Sequence, residues 1–385
     1  MRNSKSQRGF TLLELLIASS IGLVVILLMT SLFKTGMDAT FTVTQRAETQ
    51  QNMRAAIELM TKDISLAGAG LPSGGLQLVT GGAVSDIGCN QTGTCYLPGG
   101  TYPQSGTGVN NYMYGIIPGF ATGVQSGAVI PAAPGQINSA ITSIYCDYNF
   151  PLSNFTFTFP TSTSSAVAVI NAGVQPNNIL AAGGLVKGDL LLFTVNTPGN
   201  GKTNVGTSLV QNAAVVAEIT NIPNNTEIDF TAGDALNFNQ SGGGISNNIA
   251  TVAASAAGAN AQVSACRLNA VSYFLQVPPA GGTVQTPRLM RQVNGLDAVP
   301  VADNIINLQF TYDVINSLNG TVVANQQDPI GAGESPGLIQ KVNIFIMGSS
   351  LVSGGNRSQS MYLATSVATR DMSFCNSYGP NATCQ

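Results

Sequence analysis

The sequence contains no histidine and no tryptophan, and only 9% of its residues are charged. An average globular chain carries about 25%. Without histidine there is no Ser-His-Asp or Cys-His catalysis, no histidine-ligated zinc or haem, and no histidine-based pH sensing. A formal net charge of −3 leaves no broad basic surface for nucleic acid. Between Gly68 and Ala265 the only basic residues are Lys187 and Lys202. No nucleophile elbow, no dinucleotide fingerprint and no Cys-x-x-Cys pair occurs. These absences point away from an enzyme and toward a structural or binding surface, with no cofactor and no metal expected. What remains is 44% hydrophobic, enough for a sizeable core, with 43 Gly and 18 Pro that imply many turns. Solubility then rests on Asn, Ser, Thr and Gln.

The six cysteines are Cys89, Cys95, Cys146, Cys266, Cys375 and Cys384. Cys89 and Cys95 bracket a short polar loop, and so do Cys375 and Cys384. Both loops suit local disulfides, which leaves Cys146 and Cys266 to each other. Six cysteines allow 15 connectivities, so this pairing is a preference among them, with free buried thiols as the alternative. Disulfides require an oxidising compartment outside the cytoplasm.

The N-terminus carries the strongest signal. Residues 1–9 contain Arg2, Lys5 and Arg8 and no acid. From Phe10 to Phe33 the chain is apolar with one charge, Glu14. A helix needs roughly 20 such residues to cross a bilayer. The basic flank is expected to stay cytoplasmic, leaving the C-terminal bulk outside. No small-residue cleavage site follows Phe33, so the segment does not read as an ordinary secretory signal. Farther on, Met53, Ile57, Met60, Ile64 and Ala67 form one helical stripe. No proline occurs before Pro72, and Gly68 and Gly70 supply a stop. One helix is therefore expected from about Phe10 to Ala67, apolar all round in its first half and on one face in its second.

The run Gly9-Phe10-Thr11-Leu12-Leu13-Glu14 resembles the class III signal of type IV prepilins and type II secretion pseudopilins. In that family a membrane peptidase cuts after the glycine and methylates the new amine. The resemblance implies cleavage between Gly9 and Phe10, N-methylation of Phe10, and an assembly role for Glu14. In a packed filament Glu14 of one subunit would neutralise the Phe10 amine of a neighbour. A carboxylate deep in a membrane helix costs roughly 2.5–3.5 kcal/mol. Glu14 lies near the start of the segment, so its cost is smaller. A buried pair of this kind favours register more than net stability.

Residues 71–265 are rich in Gly, Asn, Ser, Thr and Ala, with strand-like runs at 155–159, 190–195, 213–219 and 227–230. From Cys266 the pattern sharpens into an antiparallel sheet. Candidate strands cover 271–277, 288–293, 306–314, 321–323, 338–347 and 362–370, with a hairpin signal at Asn319-Gly320. One sheet face needs cover, and the helix stripe can supply it. The helix end at 53–68, the segment 364–371 and the strands near Leu289 and Leu308 are similar to minor pilins of the PilW type. The Gly/Asn-rich middle matches no family pattern.

Other motifs are weaker. Residues 196–203, NTPGNGKT, end like a phosphate loop but lack the first glycine, and read as a polar hairpin turn. Asp297 with Asp303, and Asp328 with Glu334, lack the spacing of a loop-borne calcium motif and read as solvated carboxylates. Arg54, Glu58, Lys62 and Asp63 beside the helix stripe read as a solvated face with i,i+4 pairs.

The expected fold is α+β and pilin-like. It has a leader over 1–9, a transmembrane and filament-core helix over 10–33, and its amphipathic continuation over 34–67. A Gly/Asn-rich β and loop insertion follows over 68–265, then an antiparallel β-sheet region over 266–385. The expected function is that of a minor pilin in the initiation or tip of a type IV pilus, and not of an enzyme. The alternatives are a minor pseudopilin of type II secretion or a pilus-displayed adhesin. The resemblance implies as partners a prepilin peptidase, other pilins and minor pilins, and an inner-membrane assembly platform. Membrane lipid surrounds the helix before assembly. The chain is expected to cross the bacterial inner membrane once, with its C-terminal domain outside the cytoplasm, and then to reach the pilus or cell surface.

Overall fold

The computed structural model describes residues 9–72, 75–78, 87–90, 92, 112–119, 124–125, 138–147, 149–150, 152, 155–159, 166–171, 179–180, 184–198, 209–239, 262–276, 287–329, 331, 333–351 and 358–369. One α-helix, α1, runs over Leu12–Ser65 for 54 residues. At about 1.5 Å per residue it is about 80 Å long. It contains no proline, and it ends where Gly68 and Gly70 adopt positive φ of 85° and 79°. A β-carbon disfavours that conformation, so these two glycines let the chain turn back onto the sheet. The Gly68 N–H donates to Ile144 O at 2.9 Å, and the Cys146 N–H donates to Ala69 O at 2.8 Å.

The strands follow in chain order. They are β1 (Leu76–Gln77), β2 (Tyr112–Met113), β3 (Ile116–Gly119), β4 (Val124–Gln125), β5 (Ala140–Asp147), β6 (Thr156–Thr158), β7 (Ala166–Asn171), β8 (Leu190–Pro198) and β9 (Leu209–Glu218). Then come β10 (Asn221–Asn224), β11 (Glu227–Phe230), β12 (Gln262–Gln276), β13 (Arg288–Val293), β14 (Val299–Asp303), β15 (Ile305–Ile315), β16 (Val322–Gln326), β17 (Ile339–Leu351) and β18 (Ser358–Ala368). Among the described residues they form four sheets. The largest has eight strands, with β14-β13-β12-β5-β3 in order, β4 and β8 also on β12, and β9 on β8. Two four-stranded sheets run β10-β11-β7-β6 and β16-β15-β17-β18, and β1 pairs with β2. Pairing is antiparallel throughout except for β4 on β12. The chain is thus a long apolar helix followed by antiparallel sheets, an α+β arrangement consistent with a pilin-like fold.

The composition change at 265–266 falls inside β12, which continues through it. Its first half pairs with β8 and its second with β13, while β5 spans the junction. The middle and C-terminal regions therefore share one sheet. The phosphate-loop-like segment begins on β8, which pairs antiparallel with the next strand β9. Residues 199–208 between them lie outside the described residues.

Period-2 alternation sorts the sheet residues into cores. From β12, Val271, Tyr273 and Leu275 enter the core under α1, whereas Ala270 and Phe274 enter a second core behind the sheet. In β8, Leu190 and Leu192 face that second core, and Leu191, Phe193 and Val195 face a third. That double burial explains the unbroken apolar run at 190–195. Cys146 and Cys266 are joined in a disulfide beside the second core, with Cα atoms 5.6 Å apart. Cys89 is also disulfide-bonded. Cys95, Cys375 and Cys384 lie outside the described residues, so the other two pairings do too.

Among the described residues, the fully buried positions of the helix all fall in its last third. Its buried residues are Thr49, Met53, Ala56, Met60, Asp63 and Ile64. Each fully buried aliphatic side chain contributes about 1.5–3 kcal/mol. The helix lies close against Gly348 of β17. A β-carbon there would stand 2.8 Å from both Met53 Sδ and Thr49 Cγ2. We therefore expect Gly348→Ala to destabilise the protein by about 1–3 kcal/mol through overpacking, measured by urea unfolding of the full-length protein in detergent. Unchanged stability would mean that the helix does not seat this closely.

Candidate functional site

Two places concentrate chemistry: the start of the helix, and the junction of its far end with the sheet. At the start, Gly9 and Phe10 precede the helix and Phe10 is 85% exposed. Thr11 is the N-cap, and its hydroxyl accepts a hydrogen bond from the Glu14 N–H at 3.3 Å. Glu14 sits in the first turn, where a negative charge offsets the positive end of the helix dipole. The leading residues 1–8 lie outside the described residues. From Leu12 to Val43 the large apolar side chains, including Leu16, Ile21, Leu27 and Phe33, face outward. The helix is long and apolar enough to cross a membrane, and its most apolar stretch is not buried at all within the protein. Such a surface has no partner among the described residues and calls for lipid or other protein.

At the junction, Asp63 is the centre. It falls on the helix stripe and is 3% exposed, which corrects its reading as part of a solvated face. Three adjacent strands point at it. Tyr145 of β5 donates to Oδ1 at 2.9 Å, Tyr273 of β12 donates to Oδ2 at 2.5 Å, and Arg291 Nε of β13 donates to Oδ2 at 2.9 Å. Arg291 also donates to the Tyr273 hydroxyl at 3.1 Å. Tyr273 and Arg291 are direct cross-strand partners, so the sheet register sets this geometry. Burial and the Asp63 carboxylate together push both tyrosine hydroxyls well above their ordinary pKa. Burial works against the Arg291 charge, but Asp63 outweighs it and holds the guanidinium above its usual value. The arrangement holds a charge in place. It offers no nucleophile with an adjacent base.

One signal for this cluster was present in the sequence. Asp63 lies three residues after Met60 and four before Ala67, on the apolar face. Arg54, Glu58 and Lys62, by contrast, are exposed, and no ion pair joins them among the described residues.

Elsewhere, Glu218 at the end of β9 is 3% exposed. Its Oε2 accepts the Leu236 N–H at 2.9 Å, and neighbouring Asp234 accepts the N–H groups of Phe238 and Asn239. These carboxylates pin residues 231–239, whose Leu236 and Phe238 fill the second core. Burial pushes the Glu218 carboxyl up to about 7, with the Asp234 charge adding to it. Asp303 pairs with Arg288 at 2.8 Å, and Asp297 accepts from Asn90 at 2.7 Å. Among the described residues no group of three His, Cys, Asp or Glu side chains is placed to hold a metal.

Residues 4–30 match the family model of the prokaryotic N-terminal methylation motif. The match supports a type IV pilin-like protein. It covers Lys5 and Arg8 of the basic flank, Gly9, Phe10, Glu14 and most of the apolar stretch 10–33. It implies processing by a prepilin peptidase and assembly with other pilins, and it suggests a structural pilin rather than an enzyme. The apolar helix and the motif together fit a membrane-anchored pilin. No curated protein and no solved structure matches the chain.

Two outcomes are expected of this pilin-like chain. Asp63→Asn removes the charge facing Arg291 and leaves a partly buried cation unpaired. It should cost about 2–4 kcal/mol in urea unfolding, and a loss below 0.5 kcal/mol would show the pair to be dispensable. The second concerns pH. A carboxyl raised in the folded state contributes stability below its unfolded pKa, near 4.5, and loses it as pH rises through about 7. Melting temperature should therefore fall across that interval. Glu218→Gln, which keeps an acceptor for Leu236, should flatten the fall and melt higher at pH 8. An unaltered profile would contradict this.

Proposed function

We propose that this chain is a minor pilin of the PilW type that takes part in assembly of a type IV pilus, at its initiation or tip. A prepilin peptidase removes residues 1–9 and methylates the Phe10 amine. The subunit waits in the bacterial inner membrane, crossing it once over residues 10–33, with the head outside the cytoplasm. Assembly at the inner-membrane platform then exchanges lipid around the helix for neighbouring helices of other pilins. The chain finally resides in the pilus at the cell surface.

The observation that carries this reading is the methylation motif at the head of a helix whose first half finds no cover among the described residues. Burying that apolar surface against like helices is favourable once they are aligned. Glu14 sets the alignment: its carboxylate is costly among apolar neighbours unless it meets the Phe10 amine of the next subunit. The head, braced by the Asp63 cluster, is held on the lower helix and displayed outside the packed rods.

The test is mass spectrometry of the mature protein from the native membrane. Its N-terminus should be methylated Phe10. A native protein that retains Met1 refutes the proposal. Glu14→Ala should leave the head folded yet reduce co-purification with sheared fibres by about tenfold, the effect of losing about 1.4 kcal/mol. Wild-type recovery in fibres would remove Glu14 from the mechanism.

A further inference from the structure

The four-stranded sheet of β16, β15, β17 and β18 buries one face against α1 and the core. Alternation sends a different set to the other face: Gln309 and Thr311 from β15, Asn343 and Phe345 from β17, Ala364 and Ser366 from β18. Together they line an open groove of about 340 Å³. That size is at the small end of ligand sites, which run roughly 300–1,000 Å³. Beside the groove stands Tyr362, 71% exposed although it is a large aromatic residue. Its ring stacks on Phe345 with centroids 6.1 Å apart and planes at 21°.

No residue lining the groove is charged. The two charges at its end, Asp313 and Lys341, pair with each other at 2.5 Å. Asn343 Nδ2 donates to Asp313, Thr311 and Asn325, which braces the floor. The side chains of Gln309 and Ser366 make no hydrogen bond within the described residues. The face therefore combines an exposed aromatic ring, one amide and one hydroxyl without a hydrogen bond among the described residues, and no net charge.

These features select one ligand chemistry. A charged ligand would find no counter-charge. A wholly apolar one would strand the amide and hydroxyl groups without water. A pyranose has the matching mixture, with an apolar C–H face for an aromatic ring and a rim of neutral hydroxyls for carboxamides and serine. We propose that this sheet face binds a neutral saccharide, with a sugar ring against Tyr362 and its hydroxyls on Gln309 and Ser366. Phe345 backs the Tyr362 ring and limits its rotation. The site stands on the head alone, independently of the assembly role.

The test uses the full-length protein in a phosphocholine detergent, which carries no sugar headgroup. Maltotriose, cellotriose, chitotriose and lactose serve as probes and sialyllactose as the charged control, read by saturation-transfer NMR and titration calorimetry. At least one neutral probe should bind saturably, and sialyllactose should bind no better. Tyr362→Ala should weaken binding by about tenfold or more, and Tyr362→Phe by no more than about threefold. Gln309→Ala should weaken it measurably. Leu318→Ala, at an exposed site on the β15–β16 connection, should leave it unchanged. If Tyr362→Ala does not fold by circular dichroism, Gln309→Ala and Ser366→Ala carry the same comparison. The proposal is overturned if no neutral probe binds, if binding survives both Tyr362→Ala and Gln309→Ala, or if sialyllactose is preferred. It is also overturned if Tyr362 cross-links to another pilin subunit and no probe competes.

Discussion

A single carboxylate fixes how the two halves of this molecule meet. Asp63 lies on the face of the helix that enters the core, and without partners its charge would be strongly unfavourable there. Two tyrosine hydroxyls and one guanidinium from three neighbouring strands satisfy it. None of the four groups is well placed unless the helix has the right rotation and the strands the right register. A buried ion pair adds little net stability compared with apolar packing, but it penalises every misaligned arrangement. Here it orients a rod some 80 Å long from one end, where a small error in angle becomes a large displacement at the other.

The same helix lives in two solvents. Residues 10–33 present apolar side chains on all sides, and the most apolar stretch is not buried among the described residues. From Thr49 onward one stripe is buried, and Gly348 lets the helix lie close to the sheet. Charges return ahead of that stripe, at Lys34, Asp38, Arg46 and Glu48, and continue beside it at Arg54, Glu58 and Lys62. Where charges alternate with the stripe, water is the outer medium. Where they are missing, lipid or protein must be. This division fits a membrane-anchored pilin and needs no change in the helix backbone.

Scarcity of charge shapes the head as well. Four cations of the head are each paired with an acid: Arg267 with Asp147, Arg288 with Asp303, Lys341 with Asp313, and Arg291 with Asp63. At Asp147, burial opposes ionisation, but hydrogen bonds from Arg267 and Asn149 and the Arg267 charge together outweigh it and lower the pKa. The surface is left to amides, hydroxyls and a few aromatic rings. Such a surface has little long-range field, so recognition by the head rests on contact chemistry, as the groove beside Tyr362 does.

The sequence by itself determined the elements that depend on local pattern. The apolar run from Phe10 to Phe33 dictates a helix that can cross a membrane. The stripe at Met53, Met60 and Ile64 dictates which face docks. Alternation at 271–277, 306–314 and 338–347 dictates strands and their buried sides. These follow from periods of 3.6 and 2, which neighbouring residues express without help. Only the tertiary structure decided what depends on residues far apart in the chain. Asp63 looked like one more charge beside a stripe until Tyr145, Tyr273 and Arg291 arrived from strands 82, 210 and 228 residues away. The change of composition at 265–266 looked like a boundary, yet one strand runs through it, because backbone pairing is indifferent to the Gly and Asn content of its neighbours. Long-range register brings such groups together, and no local spacing encodes it.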